Sequence, residues 1–333
     1  MRAAFFDRFG LPEEVLQVRD VPVPEPARGQ VRVRMIASPI NPSDLMHVRG
    51  EYGRKPNLPA SAGFEGVGVV EASGGGLLGW RVKGHRVAVL NSSGGNWAEQ
   101  VVIPARQAIP IPDHVPDDQA AGFFVNPASA LVMTRYVLKA PPGAWLLQTA
   151  AGSALGRMVI RLGRRHGFKT INVVRRPEQI DELKRLGADA VICSTQESVV
   201  EAVQKLTGGD GARYAIDAVG GPVGTDALKC LGKEGRLLVY GTLSEEPMSV
   251  SPRLLMVGHK CVEGFWLSEW VARQGILRML RLIREVGRMF QEGIATTTIG
   301  GTYPLEQIQA AVRHAATPGR EGKVIVTMGV GSA

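Results

Sequence analysis

The sequence predicts an α/β chain in which a β-rich first part precedes a doubly wound parallel sheet. Three observations carry that reading. Residues Trp145 to Arg176 run strand, small-residue turn, helix, strand. Three further strand-like runs follow, separated by helical stretches. Upstream, glycine and proline break the chain into short β-like pieces.

In the β-rich part, Ala3-Ala4-Phe5-Phe6 opens as a strand, and Val31-Arg32-Val33-Arg34-Met35-Ile36 alternates apolar and polar like a half-buried one. Val67 to Glu71 and Arg86 to Leu90 add strands. Gly74-Gly75-Gly76, Gly94-Gly95 and prolines 22, 24, 26, 56 and 59 mark the turns between them. Pro110 and Pro112 form a linker. Asp117-Asp118 then begin a helix, where acidic side chains favour the positive end of the dipole.

The second part starts with the apolar run Trp145-Leu146-Leu147-Gln148. Small residues Ala150 to Gly156 turn the chain, Met158, Val159 and Leu162 fall at helical spacing, and Thr170 to Val174 form a β-branched strand. That order describes a βαβ unit binding a pyrophosphate, because small residues let backbone N–H groups and a helix N-terminus approach negative charge. The glycine fingerprint is incomplete: aligned on Gly156 it reads Ala151-x-Ser153-x-x-Gly156. The turn alone equally describes another doubly wound fold. Context adds the crossover helix Glu178 to Leu186, ended by Gly187, and strands at Ala190 to Ile192, Tyr214 to Val219 and Arg236 to Tyr240. Two of these end in glycine (Gly220-Gly221 and Gly241), which opens a crevice for a dinucleotide. The second strand of the unit ends in Arg175-Arg176, where an NAD site usually carries a carboxylate for the ribose. Two cations there suit the 2′-phosphate of NADP(H), and hydride transfer is the chemistry implied. The same arginines also read as solvated loop residues.

In the tail, Arg273, Arg278, Arg281, Arg284 and Arg288 alternate with Ile276, Leu277, Met279, Leu280, Leu282 and Ile283 at roughly helical spacing. This reads as the solvated face of an amphipathic helix. Thr296 to Tyr303, a helix around Leu305 to His314 and a strand from Lys323 to Val326 complete the chain. The expected domains are 1–120 with 269–333, and 121–268. Such an insertion predicts a ligand cleft between the parts.

The bulk properties set limits. A chain of 333 residues predicts about two domains, and 44% hydrophobic residues supply ample core. No apolar run approaches the roughly 18 residues that span a bilayer. Met1 leads straight into a strand, so no leader is expected. Cys193, Cys230 and Cys261 are isolated, which fits a reducing cytoplasm. The formal charge of +8 needs explanation; nucleic acid is one candidate and an acidic or phosphorylated small partner another. Basic residues do not interleave with aromatics in a recognisable module, so nucleic acid is not expected; with no spanning run, neither is a membrane. NADP itself, a coenzyme A thioester or an acidic carrier protein remain.

Asn41-Pro42-Ser43-Asp44, Gly50-Glu51-Tyr52-Gly53, Leu58-Pro59-Ala60 and Gly63-Phe64-Glu65-Gly66-Val67-Gly68 together resemble the medium-chain dehydrogenase/reductase superfamily. Val125-Asn126-Pro127, Gln148-Thr149-Ala150, Thr170 to Arg175 and Gly264-Phe265-Trp266-Leu267-Ser268-Glu269-Trp270 extend the likeness over nearly the whole chain. The set is similar to the zinc-independent, quinone-oxidoreductase-like branch that holds the mitochondrial-type NADPH-dependent 2-enoyl thioester (enoyl-CoA/ACP) reductases. The resemblance implies a GroES-like β-rich catalytic domain, a Rossmann cofactor domain and a homodimer joined edge to edge, with Lys260 to Leu267 as the candidate edge strand. That strand equally reads as covered by its own chain.

The resemblance also implies roles. Tyr52 matches the tyrosine that donates a proton or polarises a thioester carbonyl; a phenol stays protonated at neutral pH and can do either. It reads equally as a packed loop tyrosine, since Gly50 and Gly53 mark a plain turn. Trp266 matches the aromatic that shapes the acyl pocket beside the nicotinamide, with Phe265 counted among the cofactor-binding residues, though Phe265-Trp266-Leu267 alone reads as core or a subunit contact. Asn126 matches an asparagine near the nicotinamide, or caps a helix entered through Pro127. Gly152, Ser153, Ala154 and Leu155 match the pyrophosphate turn, Arg175 and Arg176 the 2′-phosphate site, and Tyr240-Gly241 the next strand end. Lys323 matches a late lysine reaching the cofactor, or is an exposed turn after Gly322.

Zinc chemistry is the rival within the superfamily, and it needs a Cys/His/Glu set with a four-cysteine lobe. Residues 38–41 read Ser-Pro-Ile-Asn where a ligand cysteine would stand, residues 85–104 hold no cysteine, and His47, His85, His114, His166, His259 and His314 are scattered. The sequence therefore predicts no metal. It predicts reduction of the C=C bond of 2-enoyl thioesters by NADPH. An NADPH:quinone or activated-alkene reductase, and a non-catalytic NADPH-binding protein, stand as alternatives.

Overall fold

A computed structural model describes residues 1–53 and 55–329; Arg54 and residues 330–333, the end of the expected 269–333 return, lie outside the description. The chain forms two compact units, Met1–Val125 with Thr296–Ala333, and Asn126–Ala295. These bounds correct the expected ones. Residues 121–125 stay with the first unit, where the Val125 N–H donates to Glu65 Oε2 at 2.9 Å. Residues 269–295 join the second unit. The helix Ile276–Gln291 buries Leu282, Val286, Met289 and Phe290. Arg165 pairs with its Glu285 and with Glu292, and Arg161 Nη1 donates to Ile294 O at 3.1 Å. An amphipathic stripe says that a helix is buried on one side, but not against what.

The first unit opens with the antiparallel pair β1 (Arg2–Phe5) and β2 (Gln17–Asp20). Its main sheet is built on β3 (Gln30–Pro39), β4 (Glu65–Ser73), β5 (Arg86–Leu90), β6 (Gln100–Pro104) and β7 (Ala108–Pro110). Strand β3 buries Val31, Val33, Met35 and Ala37, while Arg32 and Arg34 face outward and pair with Glu25 and Glu71. The period of two follows directly from the pleat. Trp97 is fully buried in the core of this unit, together with Phe6, Val31, Val33, Ile103 and Val324. The helix expected from Asp117 is a single turn, Asp117–Ala120. Phe123 and Phe124 then enter the core, and helix Val125–Leu131 continues as the π-helical stretch Val132–Val137.

The second unit carries one parallel sheet of β8 (Trp145–Gln148), β9 (Lys169–Val174), β10 (Ala190–Cys193), β11 (Ala212–Asp217), β12 (Leu231–Val239) and β13 (Cys261–Gly264). The order is β10-β9-β8-β11-β12-β13, with β13 at an edge. Leu147 pairs with Ile171 on one side and Ala215 on the other, so the central strands are apolar on both faces. Strand order reverses between β8 and β11, which places a ligand crevice beyond their carboxyl ends.

The chain then returns to the first unit as β14 (Ile299–Pro304) and β15 (Lys323–Thr327). They complete a sheet ordered β14-β15-β3-β4-β5-β7, with β6 also on β3. Among the described residues no helix is long and apolar enough to cross a membrane. Truncating Trp97 removes the largest fully buried side chain of this core. Trp97→Ala should therefore cost roughly 3–5 kcal/mol, read as a lower urea midpoint for the first unit.

Candidate functional site

In the second unit the turn after β8 leads into a helix N-terminus, a geometry that can receive an anion. Ala150 takes a positive φ of 48°, and Ser153 caps the helix Ala154–His166 by accepting the Gly156 N–H at 3.1 Å. Ala154 and Leu155 open that helix, where N–H groups lack intrahelical partners. Gly156 is required by contact: a Cβ there would lie 2.5 Å from Ala151 O, so this position brings helix and strand together. Gly152 O accepts from Arg157 Nε at 3.0 Å, and Arg157 is locked to Glu182.

Buried polar groups fix the strand ends beneath the turn. Gln148 Nε2 donates to Gly156 O at 2.9 Å and to Asn172 Oδ1 at 2.6 Å, tying β8 to its helix and to β9. Thr149 Oγ1 donates to Asp217 Oδ1 at 2.5 Å and accepts from the Ala218 N–H. Asp217 also accepts the N–H groups of Val219 and Gly220, at 3.1 and 2.8 Å. Tyr240 follows β12, and burial first, then the Asp217 charge, pushes its phenol up. At Gly241 a Cβ would meet Ala218 O at 2.6 Å.

The register β12 to β13 pairs Val239 with Gly264, so Phe265 and Trp266 emerge beside Tyr240 and Gly241. The Phe265 N–H donates to Val239 O at 2.8 Å. Trp266 is 40% exposed and none of Phe265, Trp266 and Leu267 is buried, so the core reading of this segment does not hold. Arg175 is exposed and Arg176 half-buried directly after β9. Among the described residues the Arg175 side chain makes no ion pair. Asn126 lies inside the first turn of Val125–Leu131 rather than capping it, half-buried. The fold thus gathers Gly152 to Leu155, Arg175, Arg176, Tyr240, Gly241, Phe265 and Trp266 at the carboxyl ends of one parallel sheet.

Tyr52 and Lys323 belong to the first unit. The helix Pro42–Arg49 starts at Asn41, whose N–H donates to Asp44 Oδ2 at 2.7 Å, and ends at Gly50 with φ 77°. Asp44 Oδ1 accepts the Phe64 N–H at 3.0 Å, and the Tyr52 ring lies 5.1 Å from that of Phe64. Tyr52 is half-buried and held by the elements that carry the Asn41–Asp44 and Gly63–Gly66 segments. Lys323 is buried, not an exposed turn. Its Nζ donates to Asn41 Oδ1, while Asn41 Nδ2 donates to Glu65 Oε1 at 2.9 Å.

Burial raises Asp44 to about 7, against two backbone N–H bonds that oppose the shift; the Glu65 charge adds to it. Burial lowers Lys323, opposed by the charges of Glu65 and Asp44. The clamp residues Gln148, Thr149, Asn172 and Asp217, and the cluster around Asp44 and Glu65, were not singled out by sequence. They lie in segments that carry the resemblance or, for Asp217, in a strand run, and had no role there; for Gln148, Thr149 and Asp217 the signal was a polar residue at the end of an apolar strand. Among the described residues no three His, Cys, Asp or Glu side chains are placed to hold a metal ion, and Ser38 Oγ is engaged with Glu65 O at 2.7 Å.

A parallel sheet ordered around a reversal point, a small-residue turn opening a helix N-terminus at that point and a mainly antiparallel β-rich unit define a two-domain nucleotide-dependent oxidoreductase. Residues 27–113 match the alcohol dehydrogenase GroES-like domain, and residues 154–285 match the zinc-binding dehydrogenase domain. The chain belongs to the zinc-independent medium-chain dehydrogenase/reductase superfamily. It is 32% identical over 332 residues to the mitochondrial enoyl-[acyl-carrier-protein] reductase of Rattus norvegicus, covering 98% of this chain and 89% of that one. A crystal structure described as a putative NADPH:quinone reductase from Bacillus thuringiensis is 32% identical with a TM-score of 0.92, covering 98% and 99%. A mycobacterial protein solved in complex with NADPH is 26% identical, with a TM-score of 0.88 and coverage of 98% and 99%.

The Asp44 shift makes a pH prediction. A carboxyl held up in the folded state binds its proton more tightly there, so its contribution is complete below the unfolded value near 3.8 and fades as pH rises to about 7. The loss amounts to roughly 4 kcal/mol at most. Asp44→Asn should show a smaller fall in stability than the parent between pH 5 and 7.5, measured by urea unfolding at both; identical slopes would exclude Asp44 as the titrating group.

Proposed function

We propose that this chain reduces the C=C bond of trans-2-enoyl thioesters, carried on coenzyme A or acyl carrier protein, with NADPH as reductant. The thioester half of the reading is supported by likeness over 98% of the chain to reductases named for enoyl-[acyl-carrier-protein]. The cofactor half is supported by Arg175 and Arg176 directly after β9, where a carboxylate would favour NAD. The close contact at Gly156 and the open first turn of its helix fit a pyrophosphate.

Bound NADPH supplies a hydride for the β-carbon of the substrate. Gly152, Ser153, Ala154 and Leu155 hold the pyrophosphate, and Arg175 and Arg176 take the 2′-phosphate as planar, permanently charged forks. Tyr240, Gly241 and Phe265 line the cofactor, Trp266 shapes the acyl pocket beside the nicotinamide, Asn126 serves the nicotinamide end, and Lys323 reaches the cofactor. Tyr52 acts on the substrate. Its hydroxyl donates a hydrogen bond to the thioester oxygen, where charge gathers as the β-carbon accepts hydride, or delivers the proton to the α-carbon. A cytoplasmic homodimer joined through the edge strand β13 belongs to the same proposal.

A second reading, NADPH:quinone reduction, is favoured by the likeness to the Bacillus thuringiensis structure at a TM-score of 0.92. A panel of crotonyl-CoA, longer enoyl-CoAs and a quinone decides between them; equal or faster quinone turnover replaces the thioester. Tyr52→Phe should lower kcat for crotonyl-CoA by about 100-fold with NADPH affinity unchanged. Undiminished turnover would remove Tyr52 from the reaction. Replacing both Arg175 and Arg176 by alanine should cut the preference for NADPH over NADH by about 10- to 100-fold, read from the two kcat/KM values.

A further inference from the structure

The basic face of helix Ile276–Gln291 is solvated, as its sequence predicts, but it also walls a recess. Arg281, Arg284 and Arg288 follow at spacings of three and four and so share one stripe. They line a cavity of about 420 Å³ with Arg135, Tyr136 and His166 opposite. Arg135 and Tyr136 come from the π-helical stretch Val132–Val137, a wide turn of the kind that helices retain at functional sites. Tyr136 is set edge-on to Trp270 at 5.7 Å.

The charge of this recess is poorly balanced. Its one carboxylate, Glu285, is held by Arg165 at 3.3 Å and by Arg288 at 3.0 Å. Arg281 and Arg284 are exposed and make no ion pair or hydrogen bond among the described residues. His166 Nε2 and Arg165 Nη1 are buried with no hydrogen-bond partner among the described residues. Burial, then Arg135 and Arg165, hold His166 below the usual imidazole range, against the pull of Glu285. Like charges one turn apart repel, and an anion in the recess would offset the stripe and give His166 Nε2 a partner. All four lining cations are arginines, whose forks match phosphate oxygens in pairs.

The recess is not part of the nucleotide turn. That turn sits at the start of helix Ala154–His166, and His166 is its last residue. Thirteen residues of α-helix span roughly 20 Å, so the recess lies at the opposite, amino end of the parallel strands. We propose that it is a second anion site, which takes a multiply phosphorylated small molecule.

The test is calorimetric titration of the NADPH-saturated protein at low salt with inorganic tripolyphosphate and with ATP. Binding of one equivalent per chain is expected, weakened by added salt. Tighter binding of ATP would assign a nucleotide, and equal binding a bare phosphate chain; either supports the site. Arg281→Ala with Arg284→Ala should weaken both at least about tenfold, leaving NADPH affinity and turnover unchanged. Absence of binding, equal affinity in the double variant, or binding lost when NADPH saturates the protein would each overturn the proposal.

Discussion

The hydrogen bond from Thr149 to Asp217 closes the point on which the second unit turns. Strands β8 and β11 are neighbours in the sheet but 68 positions apart at this contact, and everything that lies beyond their carboxyl ends takes its position from them. A threonine hydroxyl that both donates and accepts, and a carboxylate that collects two further backbone N–H groups, leave few buried polar groups unsatisfied there. An apolar pair would hold the strands equally well, but it would not orient the two turns that follow. The turn at Ala150 to Leu155 and the glycine pair at Gly220 are thereby fixed to one another.

The first unit repeats this economy with charged groups. Asp44, Glu65 and Lys323 are buried together around Asn41, whose backbone N–H donates to Asp44 and whose side chain links Lys323 to Glu65. Burial works against the charges of Asp44 and Lys323, and the neighbours offset it by geometry that removal of one partner would destroy. Tyr52 stands at the rim of this cluster, through Phe64, so its placement is inherited from a network that makes no contact with substrate in the proposed reaction.

Much of the fold was legible beforehand. The period of two in β3, the small residues after β8 and the arginine pair after β9 each express a local constraint that neighbouring residues alone impose. Of the candidate site, the turn after β8 and the arginines after β9 could be named from position, because a ligand crevice in this class of sheet lies at strand ends. Tyr52, Asn126, Trp266 and Lys323 could be named only through the family resemblance. The clamp and the buried cluster could not be, since Thr149 and Asp44 are ordinary residues until their partners arrive from elsewhere in the chain.

Sequence by itself determined the order and type of the elements, the two-part organisation, the absence of a cysteine ligand set and a pair of cations directly after a strand. These follow from periodicity, turn chemistry and composition, which are properties of adjacent residues. Only the tertiary structure decided that helix Ile276–Gln291 belongs with the second unit, that Lys323 meets Asn41 across 282 positions, and that a solvated arginine stripe faces a recess. Those outcomes depend on which surfaces meet, and long-range packing and ion pairing choose among surfaces that local pattern leaves equivalent.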